Sequence, residues 1–277
     1  MITIALSTGS LYTYGLARVF ELAADTGFDA MEVLIDHRWD SRQPAYLQRL
    51  CRETGLPIAV VHNPFVPSVP GWPHDSLGRL QETASLAREV GAPVAVAHLP
   101  LRIRGARVEF FGLRRSLLLP LPGGGDKAYR DLLLNGLAAF EAGHGIMIGV
   151  ENMPAKQILG RPVEIHWLNN LDALGQMPHL TLDTTHMGTW GMDLLASYER
   201  LKERIVHVHL SNFNGQEHQM PDDGHLPLGK LLTRMAQDGY DHAISLELEP
   251  NALHAEDEAQ VRAHLSRALA FVRQHTG

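Results

Sequence analysis

The chain has 277 residues, 45% of them hydrophobic, and a formal charge of −7 from 24 Lys and Arg against 31 Asp and Glu. That content supplies a large core, and the acidic balance argues against a broad nucleic-acid-binding surface while leaving a local basic strip open. Cys51 stands alone, so no intrachain disulfide forms; the N-terminal apolar run is too short and uncharged for a signal peptide, and no run nears the ~20 residues of a membrane span, which makes a reducing cytoplasm the expected compartment.

In chain order, apolar runs predict strands at 2–7, 30–36, 57–62, 94–98, 146–151, 179–183, 205–210 and 243–249. Between and after them, helical periodicity predicts helices around 16–24, 45–54, 77–90, 126–142, 162–174, 194–203, 226–238 and 256–274. Gly55, Gly91 and Gly239 stand where helices should stop. The strands are short and rich in Val, Ile and Ala, as expected when both faces of a parallel sheet are buried. Eight βα units at this length read as an α/β chain forming a single (β/α)8 TIM barrel over 1–277. A doubly wound open sheet is the alternative, but no Gly-rich phosphate fingerprint follows the first strand. The stretch 101–125 is too long for an ordinary βα loop. It carries Arg102, Arg104, Arg107, Arg114 and Arg115 beside Phe110 and Phe111. It reads either as a solvated or oligomer-facing excursion, or as a lid or phosphate-gripping loop with Arg102 and Arg104 as substrate contacts.

The strands end in ionisable residues. His62, His98, Glu151, Asp183 with His186, His209 and Glu247 fall at or just beyond C-terminal strand ends, and Asp223 and His225 follow the seventh strand. In a barrel those ends converge on one site. Gathering several carboxylates there would raise their pKa values unless cations were present, and mixed His and carboxylate sets suit Zn²⁺, Mn²⁺, Fe²⁺ or Co²⁺. His207 shares the strand face of His209 one layer deeper, and reads as a supporting residue. Glu32, on the second strand, reads as a substrate contact or as the partner of a cation. His37, His74, His218 and His242 read as surface or rim.

These residues resemble those of the xylose isomerase-like TIM-barrel superfamily, which includes endonuclease IV and many sugar or sugar-phosphate isomerases and epimerases. The segments that carry the resemblance are Val61-His62-Asn63-Pro64-Phe65, Ala97-His98-Leu99-Pro100, Val150-Glu151-Asn152, Asp183-Thr184-Thr185-His186, His207-Val208-His209, Asp223-Gly224-His225 and Leu246-Glu247-Leu248. In its epimerase branch, the resemblance implies one metal held by Glu151, Asp183, His209 and Glu247. The two glutamates would move a proton beside a carbonyl and His186 would orient the substrate. In its endonuclease IV branch, it implies three zinc ions. His62, His98 and Glu151 would hold one, Glu151, Asp183, His209 and Glu247 a second, and His186, Asp223 and His225 a third. The sequence-based expectation is therefore a divalent-metal isomerase or epimerase with one to three ions of Zn²⁺ or Mn²⁺ and a carbohydrate-like small-molecule substrate. An endonuclease IV-like phosphoester hydrolase and a non-catalytic metal- or sugar-binding barrel remain the alternatives.

Overall fold

Eight strands carry the apolar runs: β1 (Thr3–Ser7), β2 (Ala30–Leu34), β3 (Ile58–His62), β4 (Val94–Ala97), β5 (Met147–Glu151), β6 (Leu180–Asp183), β7 (Ile205–Leu210) and β8 (Ala243–Leu246). Each pairs in parallel with its sequence neighbours, and β1 closes on β8 through Thr3 opposite Ala243 to Leu6 opposite Leu246. The result is a closed (β/α)8 barrel, as expected. This computed structural model describes residues 2–66, 68–102, 104–109, 116–121, 126–158 and 161–277, with backbone alone at 104–109, 116–121 and 158.

The helices are α1 (Leu16–Thr26), α2 (Pro44–Thr54), α3 (Ser76–Val90), α4 (Lys127–Asp131), α5 (Leu137–His144), α6 (Leu171–Leu174), α7 (Thr184–Thr189), α8 (Leu194–Leu201), α9 (Leu228–Gln237) and α10 (Glu258–Thr276). A π-helical turn, Leu132–Gly136, joins α4 to α5. Pro44 opens α2 at a position where its missing N–H costs nothing. Gly55, Gly91 and Gly145 end α2, α3 and α5 in the left-handed conformation. The apolar stripe of α9, Leu228, Leu231, Leu232 and Met235, is buried. Burying one such side chain is worth roughly 1.5–3 kcal/mol.

Register decides which polar residues meet inside the barrel. Side chains alternate along a strand, so residues two apart share a face. Between β6 and β7 the register shifts: Leu180 lies opposite Ile205, but Thr181 lies opposite His207 and Asp183 opposite His209. Thr181 is also opposite Glu151, and Ser7 opposite Glu32. Val60, Val94, Val96, Val206 and Ala243 form a small apolar cluster distinct from the large one between barrel and helices.

Two expectations change. The helix expected at 162–174 is absent. Instead Arg161–Val163 pairs antiparallel with Lys156–Ile158, and only Leu171–Leu174 is helical. The backbone nearby is held extended because Arg102 N donates to Ile165 O at 2.8 Å and Trp167 N donates to Pro100 O at 2.7 Å. Tertiary pairing has overridden local helical propensity. The excursion at 101–125 contains a two-stranded antiparallel ribbon, Arg104–Glu109 with Ser116–Leu121. Arg104 and Arg107 lie on its first strand, while Phe110, Phe111, Arg114 and Arg115 lie outside the described residues. Among the described residues, no helix is long and apolar enough to cross a membrane.

Gly149 on β5 has no room for a side chain: an added Cβ would collide with Thr181 Oγ1 and approach Thr181 N at 3.3 Å. Gly149→Ala is expected to destabilise the barrel by about 1–3 kcal/mol. Adding Thr181→Ala should recover part of that loss, measured by denaturant midpoints.

Candidate active site

Glu151, Asp183 and His209 sit at the last turns of β5, β6 and β7, and Glu247 follows β8 by one residue. Their side chains converge. His209 Nδ1 lies 3.0 Å from Glu151 Oε1, 3.1 Å from Glu247 Oε2 and 3.7 Å from Asp183 Oδ2. Its other nitrogen, Nε2, lies 3.1 Å from Glu32 Oε2. Glu32 is itself held by Ser7 Oγ at 3.0 Å and by His207 Nε2 at 2.7 Å. Glu32, His207 and His209 are all completely buried. Of the two readings of Glu32, this geometry fits the partner of a cation-drawn imidazole: Glu32 holds the His209 ring.

Three more histidines surround these donors. His62 Nε2 and His98 Nε2 approach Glu151 Oε2 at 3.8 and 3.5 Å. His186 Nδ1 is 3.6 Å from Glu151 Oε1. Backbone carbonyls fix two of these rings: Asn63 O lies 2.8 Å from His62 Nδ1, and Asn152 O lies 2.8 Å from His186 Nδ1. A carbonyl accepts only from N–H, so Nδ1 carries the proton in both rings; His62 Nε2 then turns its lone pair toward Glu151, and His186 Nε2 faces Glu217 Oε2 at 3.9 Å. Tyr129 donates to His98 O at 2.7 Å. Asp183 also caps α7, accepting from His186 N at 2.8 Å through Oδ1. Asn152 clamps the same turn, donating to Asp183 O at 3.0 Å and accepting from Asp183 N at 2.8 Å.

Crowding sets the ionisation. Burial opposes charge on His209, but Glu32, Glu247 and Glu151 outweigh it and lift its pKa well above that of an ordinary imidazole. Burial would raise Glu151, yet His209, His186 and His62 hold it well below the usual carboxylate range. Burial pushes Glu247 up to about 7, against the pull of His209 and His218 and with the repulsion of Glu32 and Glu151. Burial, with His62 beside it, pushes His98 down to about 3.

The donor set fits a divalent ion. Asp183 Oδ2 is buried and has no hydrogen-bond partner, although the acid is fully enclosed. A buried carboxylate oxygen left without a donor is costly unless a cation satisfies it. His62, Glu151, His209 and Glu247 each offer a ligand atom within 4.8 Å of the others. Asp183, His186 and His218 do the same beside them. With Glu32 accepting from Nε2–H, His209 Nδ1 is free to bind metal, the arrangement by which a carboxylate fixes a metal-binding imidazole.

Three sequence-based expectations change here. Asp223 and His225 are exposed and belong to none of the three metal-capable groups among the described residues; Asp223 Oδ2 accepts from Asn214 Nδ2 at 3.3 Å, and His225 packs against Phe213. The loop after β7 points them outward, so the third ion expected on His186, Asp223 and His225 is not assembled. Arg102 also stays out of the site: its Nε donates to His166 O at 2.7 Å, and its guanidinium lies 5.1 Å from the Trp167 ring centroid. Arg104 contributes only described backbone. His218, expected at the rim, turns inward, with its Nδ1 3.3 Å from Ser211 Oγ and from Glu247 O. Its backbone has φ +55°, a strained loop conformation without a local sequence signature. A cavity of about 660 Å³ opens over these groups, and Glu217, His218 and Glu249 line it beside His62, His98, Glu151, His186 and Glu247.

This chain belongs to the xylose isomerase-like TIM-barrel family, whose model matches residues 20–268. At 26% identity it is similar to an uncharacterised protein of Mycobacterium tuberculosis, covering 99% of this chain and 98% of that protein. An uncharacterised protein of Methanocaldococcus jannaschii is also 26% identical, over 84% of this chain and 78% of that protein. Among solved structures it shares its fold with a 3-keto-D-glucoside 4-epimerase from E. coli (TM-score 0.67, 18% identity, 99% of this chain and 100% of that one). It also shares it with a D-tagatose 3-epimerase-like protein (0.62, 20%, the whole of both chains). A family 2 AP endonuclease from Brucella melitensis is similar too (0.65, 18%, 90% of this chain and 94% of that one).

Two outcomes test this geometry. Glu32→Gln should leave the barrel folded but weaken Mn²⁺ or Zn²⁺ binding by about 10–100-fold in a competitive chelator titration. In chelator-treated protein, the raised pKa of Glu247 contributes stability that is full below its ordinary value near 4.5 and is lost as pH rises to about 7. Over that window the wild type should lose on the order of 3 kcal/mol relative to Glu247→Gln, read from unfolding midpoints.

Proposed function

We propose that the protein is a divalent-metal-dependent carbohydrate epimerase or isomerase. The observation that carries this reading is the convergence of two glutamates on one imidazole nitrogen beneath an open cavity: Glu151 and Glu247 lie 3.0 and 3.1 Å from His209 Nδ1. The epimerase structures that share the fold support it. Glu151, Asp183, His209 and Glu247 would hold the ion, Zn²⁺ or Mn²⁺. When bound, it would polarise a carbonyl oxygen and its neighbouring hydroxyl.

The chain's own residues then carry the proton transfers. One glutamate takes the proton from the carbon beside the carbonyl; the C–H electron pair becomes the new C=C bond and the carbonyl π pair moves to oxygen, leaving an enediolate. The second glutamate, entering protonated, delivers its proton to the opposite face of that carbon. Proton exchange with solvent resets the pair. His186 orients a substrate hydroxyl through Nε2, and the buried floor of Glu32, His207 and His209 keeps water from beneath the reacting carbon.

The cavity's charge favours a neutral sugar. Glu151, Glu217, Glu247 and Glu249 line it, and no Lys or Arg does among the described residues. A phosphate dianion would meet carboxylates instead of cations. Glu247→Gln in the metal-loaded protein is expected to lower proton exchange at the carbon beside the carbonyl by 10²-fold or more, followed by NMR in D₂O with a ketose panel. Undiminished exchange would sink the assignment.

A second reading, multi-metal phosphoester hydrolysis, is favoured by His62 and His98 both turning Nε2 toward Glu151 Oε2. Metal content decides between the two. About one ion per chain, unchanged when His62 and His98 are both replaced by Ala, is expected for the epimerase; two or three ions, falling in that variant, belong to the hydrolase.

A further inference from the structure

Beyond the carboxylate cavity lies a second chamber of about 620 Å³, and the two share Phe65, His98 and Met153 in their walls. A pocket for one small ligand starts at roughly 300 Å³, so each chamber is large enough for a sugar ring. The first chamber holds all the proton-transfer groups. The second holds none of the carboxylates around His209, so its occupant does not react.

The lining of the second chamber indicates what kind of group it takes. Phe65 and Leu101 are 62% and 47% exposed, and they are two of the five large apolar side chains exposed among the described residues. Apolar surface concentrated at one rim marks a binding face. Phe65 stands at the junction of the chambers, in edge contact with His62 and His98, with ring centroids 6.1 and 5.8 Å apart. An aromatic ring exposed there offers a platform for the C–H face of a sugar. His166 supplies a polar counterpart. It is 7% exposed and lines the chamber, and its enclosed Nδ1 lies 3.5 Å from Glu164 Oε1 without making a hydrogen bond. Burial pushes its pKa down to about 4, so near neutral pH it meets a hydroxyl rather than an anion. Arg79 is the one Lys or Arg lining the chamber among the described residues, and it donates to Pro73 O at 3.0 Å and to Val66 O at 2.8 Å. It braces the loop after β3, and Asp75 and Asp126 line the same wall.

Building on the epimerase reading, we infer that the substrate is a two-ring carbohydrate, a glycoside or disaccharide. Its reacting ring lies over Glu151 and Glu247, and its second ring lies past Phe65 against Leu101 and His166. No bond to the second ring forms or breaks.

The test compares three kinds of probe on the Mn²⁺-loaded protein, by exchange of the carbon-bound proton in D₂O: fructose, a set of glucosyl-fructoses linked through each hydroxyl remote from the reacting carbon, and the fructose phosphate esterified at its terminal hydroxyl. At least one glucosyl-fructose is expected to exceed fructose tenfold or more in kcat/KM, and the phosphate ester should not. Leu101→Trp, which fills the second chamber from its exposed rim, should lower the ratio of two-ring to one-ring kcat/KM at least tenfold, and Phe65→Ala should lower it as well. Exchange on fructose or its phosphate that matches or exceeds every two-ring probe would overturn the inference and leave the epimerase reading standing, as would a ratio untouched by Leu101→Trp. Absence of exchange on all three kinds of probe would overturn both.

Discussion

The structure depends on the crowding of carboxylates around one buried imidazole. Glu151, Glu247 and Asp183 face His209 Nδ1, and Glu32 faces Nε2. Four acids, three of them buried, cannot share so small a volume without positive charge. The ring of His209 is drawn toward protonation by them, and a divalent ion meets the same demand more fully. Glu32 is as fully enclosed as Asp183 but lies on the opposite side of the His209 ring. It links the barrel's floor, through His207 and Ser7, to the orientation of the histidine above it.

The barrel makes that crowding possible because its backbone requirements are satisfied elsewhere. Every strand is paired on both sides, so the polar side chains at the strand ends carry no structural hydrogen-bonding duty within the sheet. Register then places Asp183 beside His209 and Thr181 beside Glu151. The short helix after β6 uses Asp183 as its cap, so one carboxylate oxygen is spent on folding and the other is left facing the site. The two chambers extend from this centre over the loops after β3 and β4, where sequence specificity is free to vary without disturbing the donors.

Much of the fold was legible because burial leaves a simple mark. Strands buried on both faces read as runs such as Val94–Ala97, and all eight were placed within a few residues. The exception, residues 162–174, failed where backbone pairing to Pro100 and Arg102 took over from local periodicity. The residues gathered around His209 were legible for a related reason: each sits at the end of an apolar run, and a barrel brings such ends together. Asp223 and His225 had the right chemistry but hang on a loop whose direction no local pattern encodes. His218, on that same loop, turns inward through a left-handed backbone that has no sequence signature.

The sequence by itself therefore determined the barrel and the ring of acids and imidazoles at its mouth, because these follow from alternation, burial and charge along short stretches. Only the tertiary structure decided which acids are enclosed and which line the cavity, that Arg102 stacks on Trp167 instead of reaching the cavity, and that a second chamber opens past Phe65. Those outcomes rest on register across strands and on the path of long loops. Both are contacts between residues far apart in the chain, which no local pattern of residue types specifies.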